Sequence, residues 1–179
     1  MRLFVAINIP ESVKNHLSEI QEELKKEEAK ITWVNPHNMH LTLKFLGEID
    51  EKSTEKVKEI LSKIKFGKFK LILNEIGVFP NENYITVIWV GPKEHNELFE
   101  LHKMVDLSLS KFAPAERQFL GHITLGRVKF VKDKKTFAEK MHIIKVEEMT
   151  FDIDRFYLIK SELKPTGPEY EHIAEYLLE

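Results

Sequence analysis

The stretch "MHLTLKF" (39–45) has an echo further along the chain, "GHITLGR" (121–127). Each holds histidine, an aliphatic residue, threonine and leucine, and each sits in an apolar run. In a β-strand, residues i and i+2 face the same way. His40 and Thr42 therefore project together, as do His122 and Thr124, while Leu41, Leu43, Ile123 and Leu125 point into a core. With 8 His and 8 Thr in the chain, chance supplies roughly 0.4 His-x-Thr triplets. Two copies in matching apolar settings read as an internal repeat.

Two such strands facing each other gather two imidazoles and two hydroxyls around one small space. An unperturbed imidazole titrates near pH 6.5, so one ring can be neutral while the other is protonated. That is the acid–base pair needed for in-line displacement at phosphorus. One ring takes a proton from the attacking water, and the other gives one to the leaving ribose oxygen, each transfer contributing roughly 10²–10⁴ in rate. Threonine hydroxyls can donate to the non-bridging oxygens. This chemistry calls for neither metal nor cofactor.

Outward from the repeated strands, segments 2–9, 31–34, 68–79, 84–91, 119–130 and 146–163 read as strands, and the closing "EHIAEYLL" as another. Residues 11–30, 51–65, 94–112 and a short segment after Asp133 read as helices. The helical faces are Val13, Leu17, Ile20 and Leu24; Val57, Ile60, Leu61 and Ile64; and Leu98, Leu101, Val105, Leu109 and Phe112. Asp50 and Asp133 are expected N-caps, and "KPTGPEY" a tight turn. Several strands follow one another through short turns, which argues an α+β fold with mainly antiparallel sheet. The repeat suggests two pseudo-symmetric lobes, one motif in each, with helices outside and a cleft between. No long linker separates them, so residues 1–179 are expected to form a single bilobal domain.

Composition excludes several classes. No cysteine is present, which removes disulfides, thiolate metal sites and cysteine nucleophiles. A net charge of −2 gives no global basic field, so RNA must be met by a local patch. No run approaches the length of a membrane span, and the opening "MRLFVAINIP" reads as a first strand, not a signal peptide. A cytoplasmic monomer is expected. With 23 Lys, 24 Glu and 2 Gln, the balance is that of thermophile proteins.

These motifs resemble those of the two-histidine phosphoesterases, and within them the RNA 2′,3′-cyclic phosphodiesterase branch, also called 2′-5′ RNA ligases. "WVNPHNMHLTLKFLGEI" is similar to the family's first motif block, "FLGHITLGRVK" to its second and "FYLIKSELKPTGPEY" to its closing block. The resemblance covers essentially the whole chain. It implies a bilobal α+β fold, with His40 as proton donor, His122 as proton acceptor, and Thr42 and Thr124 holding the phosphate. The implied partner is RNA with 2′,3′-cyclic phosphate ends, tRNA fragments among them; the resemblance also implies 2′-5′ joining. One departure is Gly121, where the family commonly has proline, which would fix φ.

Three neighbours are further candidates for substrate binding. Arg127 has the wrong parity to share a face with His122, so a bulge or twist is needed to bring it to the phosphate. Phe45, at the matching position of the first motif, could stack on a base. Lys44 shares the parity of His40 and Thr42 and is expected to line a basic mouth for RNA. The remaining histidines, His102 among them, read as surface or packing residues. A rival of another class is an RNA-end or nucleotide binding protein that keeps the cleft without turnover; a bell-shaped pH–rate profile separates the two.

Overall fold

Helical spacing of Val13, Leu17, Ile20 and Leu24 is realised in α1 (Glu11–Leu24), where all four are buried. The computed structural model describes residues 1–165 and 167–179. Thr166, within the expected "KPTGPEY" turn, lies outside the described residues. The other elements are β1 (Arg2–Asn8), β2 (Ala29–Trp33), a 3₁₀ turn (Pro36–Asn38), β3 (His40–Glu48), α2 (Glu51–Leu61), β4 (Phe69–Leu73), β5 (Glu75–Asn81) and β6 (Tyr84–Gly91). They continue with α3 (Asn96–Ser108), β7 (Ile123–Val131), α4 (Lys134–Ile143), β8 (Met149–Ile153), β9 (Arg155–Lys164) and β10 (Gly167–Leu177). The Asp50 carboxylate accepts from the Ser53 amide at the start of α2, and Asp133 from the Lys135 and Thr136 amides at the start of α4. Both therefore cap as expected.

The fold is α+β, and its strand pairings are antiparallel. The main sheet runs β10-β9-β1-β3-β7-β6-β5, with β2 also against β7; β4 and β8 form a separate ribbon. β3 and β7 meet at one residue pair, Leu41 opposite Ile123. The sheet is thus two half-sheets joined at a point, β10-β9-β1-β3 on one side and β7-β6-β5 with β2 on the other. β1 corresponds to β6, β3 to β7, β4 to β8 and β5 to β9. β5 and its counterpart β9 both cross over: β5 pairs with β6 in the second half-sheet, and β9 returns to β1 in the first, with β10 on its outer edge. Sequence halves and spatial halves therefore differ.

That crossing explains a departure from the sequence reading. The expected strand over 68–79 is two strands, broken at Asn74. Its N–H donates to the Gly91 carbonyl (3.2 Å) and its Oδ1 accepts from the Lys93 amide (2.9 Å). The chain turns there, sending β4 to β8 and β5 to β6. Gly91 is small for a packing reason as well: a Cβ would lie 2.5 Å from the Gly121 carbonyl.

Candidate active site

The contact between β3 and β7 is also where the repeated motifs meet. An antiparallel pairing centred on Leu41 and Ile123 sets His40 across from Thr124 and Thr42 across from His122. Leu41, Leu43, Ile123 and Leu125 are buried, whereas the two histidines and two threonines are half-buried on the other face. The expected alternation holds through each motif.

Each imidazole is aimed in the same way. His40 Nδ1 donates to the Asn38 carbonyl (2.7 Å), and His122 Nδ1 donates to the Leu120 carbonyl (2.8 Å). A carbonyl only accepts, so in the neutral rings the proton sits on Nδ1 and Nε2 carries the lone pair. Both Nε2 atoms are left without a hydrogen-bond partner among the described residues. The second motif's strand begins at Ile123, later than the sequence suggested.

Beyond the threonines the alternation breaks on both strands. The β1–β3 register passes from Ala6–Thr42 to Val5–Lys44, skipping Leu43. The β6–β7 register passes from Trp89–Thr124 to Ile88–Gly126, skipping Leu125. These are equivalent β-bulges, and each inverts the parity of the residues after it. Arg127 consequently returns to the side of His122: it is exposed, and its charge acts on both His122 and Tyr170. Phe45 likewise returns to the cleft, lining it beside Thr42 with its ring 5.9 Å from Phe4.

The same inversion overturns the reading of Lys44. It lines no mouth; it is 1% exposed. Its ammonium is bonded to the Asp106 carboxylate on α3 and to the Pro114 carbonyl. Asp106 also accepts from the Glu116 amide, so this buried ion pair pins the 114–116 loop, which forms a wall of the cleft. Burying the ammonium unpaired would be strongly unfavourable, and Asp106 is what permits it.

Buried polar side chains from the helices bond the carbonyls of the two bulge residues, Leu43 and Leu125. His102, on α3, donates from Nδ1 to the Leu43 carbonyl (2.7 Å) and stacks flat on Phe119, ring centres 3.8 Å apart. Gln21, on α1, donates to the Leu125 and Val34 carbonyls (2.8 Å each). These bonds tie each helix to the bulge of the opposite sequence half; a buried carbonyl without a donor costs about 1–3 kcal/mol, and the Leu125 carbonyl also accepts from the Val34 N–H (2.9 Å). Composition marks neither residue. The available signal was a polar residue on the apolar face of a helix, and for Gln21 that signal was visible.

The cleft next to these groups has a volume of about 810 Å³ and is bordered by Thr42, Phe45, Phe79, Phe119 and His122. His40 lies 4.8 Å from the Phe4 ring and edge-on to Tyr170 at 5.3 Å. His122 lies edge-on to Phe79 at 5.0 Å, and Phe79 stacks on Trp89. Gly77 makes that possible, since a Cβ there would lie 2.2 Å from the Trp89 ring. Removal from water lowers the pKa of both imidazoles. His40 is pushed down to about 4, burial acting first and the charge of His122 adding to it. His122 is lowered by burial and then by Arg127.

Gly121 has no left-handed backbone. A Cβ there would meet a Leu98 methyl at 2.5 Å, and its carbonyl packs against Gly91. Close packing holds the approach to His122 where the family resemblance would place a proline ring.

Two histidines presented by mirrored, bulged strands at the junction of two half-sheets define the two-histidine phosphoesterase class. The chain belongs to the LigT like Phosphoesterase family, whose pattern matches it twice, over residues 7–89 and 90–170. It is 43% identical to a Methanocaldococcus jannaschii protein named RNA 2′,3′-cyclic phosphodiesterase, the match covering 98% of this chain and 100% of that one. The crystal structure of TT0787 of Thermus thermophilus is similar, with TM-score 0.81 and 28% identity over 99% of this chain and 97% of that one. E. coli LigT in apo form shares the fold, with TM-score 0.82 and 23% identity over 99% and 96%. Thermophilic sources among these relatives agree with the Lys- and Glu-rich composition. Among the described residues, no helix is long and apolar enough to cross a membrane.

Proposed function

We propose that this chain opens a 2′,3′-cyclic phosphate at an RNA end to a 2′-phosphomonoester by two-histidine acid–base catalysis. The observation that carries this reading is the matched pair of Nδ1–carbonyl bonds, which leaves both Nε2 atoms free to exchange protons with a substrate. The name of the M. jannaschii relative supports the substrate.

Water attacks phosphorus and loses its proton to His122 Nε2. The P–O3′ bond breaks, and O3′ takes a proton from His40 Nε2. Solvent exchange resets both rings. Thr42 and Thr124 hydroxyls and the Arg127 guanidinium donate to the non-bridging oxygens, where charge is held in the transition state. The assignment of His40 as acid follows the family resemblance. Its buried setting supports it in one respect: an imidazolium with a pKa near 4 is a strong acid, and the entering phosphate supplies the negative charge that protonates it. 2′-5′ joining is the related exchange in which a ribose hydroxyl replaces water. One copy of the chain carries both motifs, so a monomer completes the site. We place the activity in the cytoplasm, with tRNA fragments among the RNA ends served.

The test is a short RNA ending in a 2′,3′-cyclic phosphate, incubated with EDTA and the intact protein, His40→Ala or His122→Ala, with the product's phosphate position read out. Opening to a 2′-phosphate by the intact protein alone is expected. Tight binding without opening would replace this reading with that of an RNA-end binding protein.

A further inference from the structure

A second groove, about 720 Å³ in volume, lies beside the catalytic cleft. Its walls are the segment from Trp33 to Asn38 and the start of β10 at Gly167–Tyr170, with Arg127 between them. Tyr170 meets the His40 ring edge-on, and the charge of Arg127 acts on both Tyr170 and His122. The groove therefore abuts the two histidines without containing either.

Its lining suits a nucleoside. The Trp33 indole lies along β7 at Gly126, where a Cβ would sit 2.9 Å from Cε3. The missing side chain lets a flat ring rest on the strand and border the groove. Tyr170 adds a second half-buried ring. The walls are tied together by Asn38, whose Nδ2 donates to the Pro168 carbonyl (2.9 Å), so the groove is formed before any ligand enters. The Glu169 carboxylate is held by Lys164 at 2.6 Å. Arg127 has no ion-pair partner among the described residues and is the cation that faces the groove.

Resting on the phosphodiesterase reading above, we infer that this groove binds the nucleotide preceding the cyclic end, its base against Trp33 and Tyr170. Arg127 then stands between the linking phosphate and the cyclic one. The substrate this geometry favours is an oligonucleotide end, with a mononucleotide cyclic phosphate leaving the groove empty. Stacking on an aromatic ring contributes about 1–3 kcal/mol per base, or roughly five- to 150-fold.

The test compares kcat/KM for adenosine 2′,3′-cyclic phosphate with that for the dinucleotide ApA ending in a 2′,3′-cyclic phosphate. The intact protein should favour the dinucleotide roughly tenfold or more. Trp33→Leu keeps apolar bulk over Gly126 but removes the stacking face; it should erase most of that preference while lowering mononucleotide opening far less. Equal loss on both substrates, or no preference in the intact protein, overturns the inference and leaves the phosphodiesterase reading standing. Opening of neither substrate sinks that reading instead. Binding then decides the groove by itself. The chain has 2 Trp, so Trp89→Phe leaves Trp33 as the sole reporter. Its fluorescence should be quenched by ApA 3′-phosphate and not by adenosine 3′-phosphate at equal occupancy. Absence of quenching at saturation overturns the inference even if Trp33→Leu fails to fold.

Discussion

The half-sheet that carries His40 and the one that carries His122 repeat each other closely up to the threonine and then part. Both rings donate Nδ1 to the carbonyl two residues back, both strands bulge one residue past the threonine, and both bulge carbonyls are taken by a helix side chain. After the bulge, the first half has buried Lys44 and then cleft-facing Phe45, whereas the second has buried Gly126 and then Arg127. One half supplies an apolar platform and the other a cation. The two halves thus share a symmetric histidine pair, and they differ after the bulge in what surrounds it.

The largest expected effects test the symmetric part. His40→Ala and His122→Ala should each lower the rate of cyclic phosphate opening by roughly 10²–10⁴, and the double variant should lose far less than the product of the two. A single-turnover assay decides this; one histidine with a tenfold effect or less would break the equivalence.

Next comes the buried ion pair between Lys44, after the first strand's bulge, and Asp106 on α3. Lys44→Ala strands the Asp106 carboxylate and should cost about 3–5 kcal/mol in urea unfolding. The combined Lys44→Met and Asp106→Leu variant should recover most of that stability. If the single and combined variants unfold alike, Lys44 is not paired as described.

Smaller effects sharpen the contrast between cation and platform. Arg127→Ala should reduce kcat/KM by about 1.5–3 kcal/mol in transition-state terms, the value of hydrogen bonds to a charged group, whereas Phe45→Ala should change KM several-fold with little effect on kcat.

The pH profile tests the electrostatics. Burial disfavours both imidazolium ions, so both rings are neutral at pH 7 in the free protein. The kcat/KM profile, which reports the free protein's ionisations, should peak below pH 6.5 and decline through neutrality. The kcat profile should lie higher, because bound phosphate favours the protonated ring. A flat rate between pH 5 and 9 would count against two-histidine catalysis altogether. The smallest effect belongs to Gly121→Ala, where a Leu98 methyl must shift. A stability loss of about 1 kcal/mol with unchanged pH limbs is expected from thermal and kinetic measurements.

Much of this was legible in the chain. His-Leu-Thr-Leu and His-Ile-Thr-Leu set four side chains on one face because strand alternation is a local property. The helical faces followed from spacing, and Asp50 and Asp133 from capping chemistry. Lys44 was misread for a definite reason: its parity was counted through a bulge that no local signal announces. For Arg127 a bulge was invoked and one is present, and the equivalent bulge on the other strand buries Lys44. The single strand drawn over 68–79 failed because β4 and β5 are both apolar, and the break at Asn74 is made by contacts with Gly91 and Lys93.

By itself, then, the sequence determined the repeated histidine–threonine pairs, their shared face within each strand and the α+β character, since these depend on neighbours a few residues apart. Tertiary structure decided the rest: the exchange of β5 and β9 between half-sheets, the capture of bulge carbonyls by His102 and Gln21, the burial of Lys44 against Asp106 and the groove beside Arg127. Each of these joins groups far apart in the chain. Their energies come from satisfying buried polar atoms and packing surfaces that exist only once the two half-sheets have met.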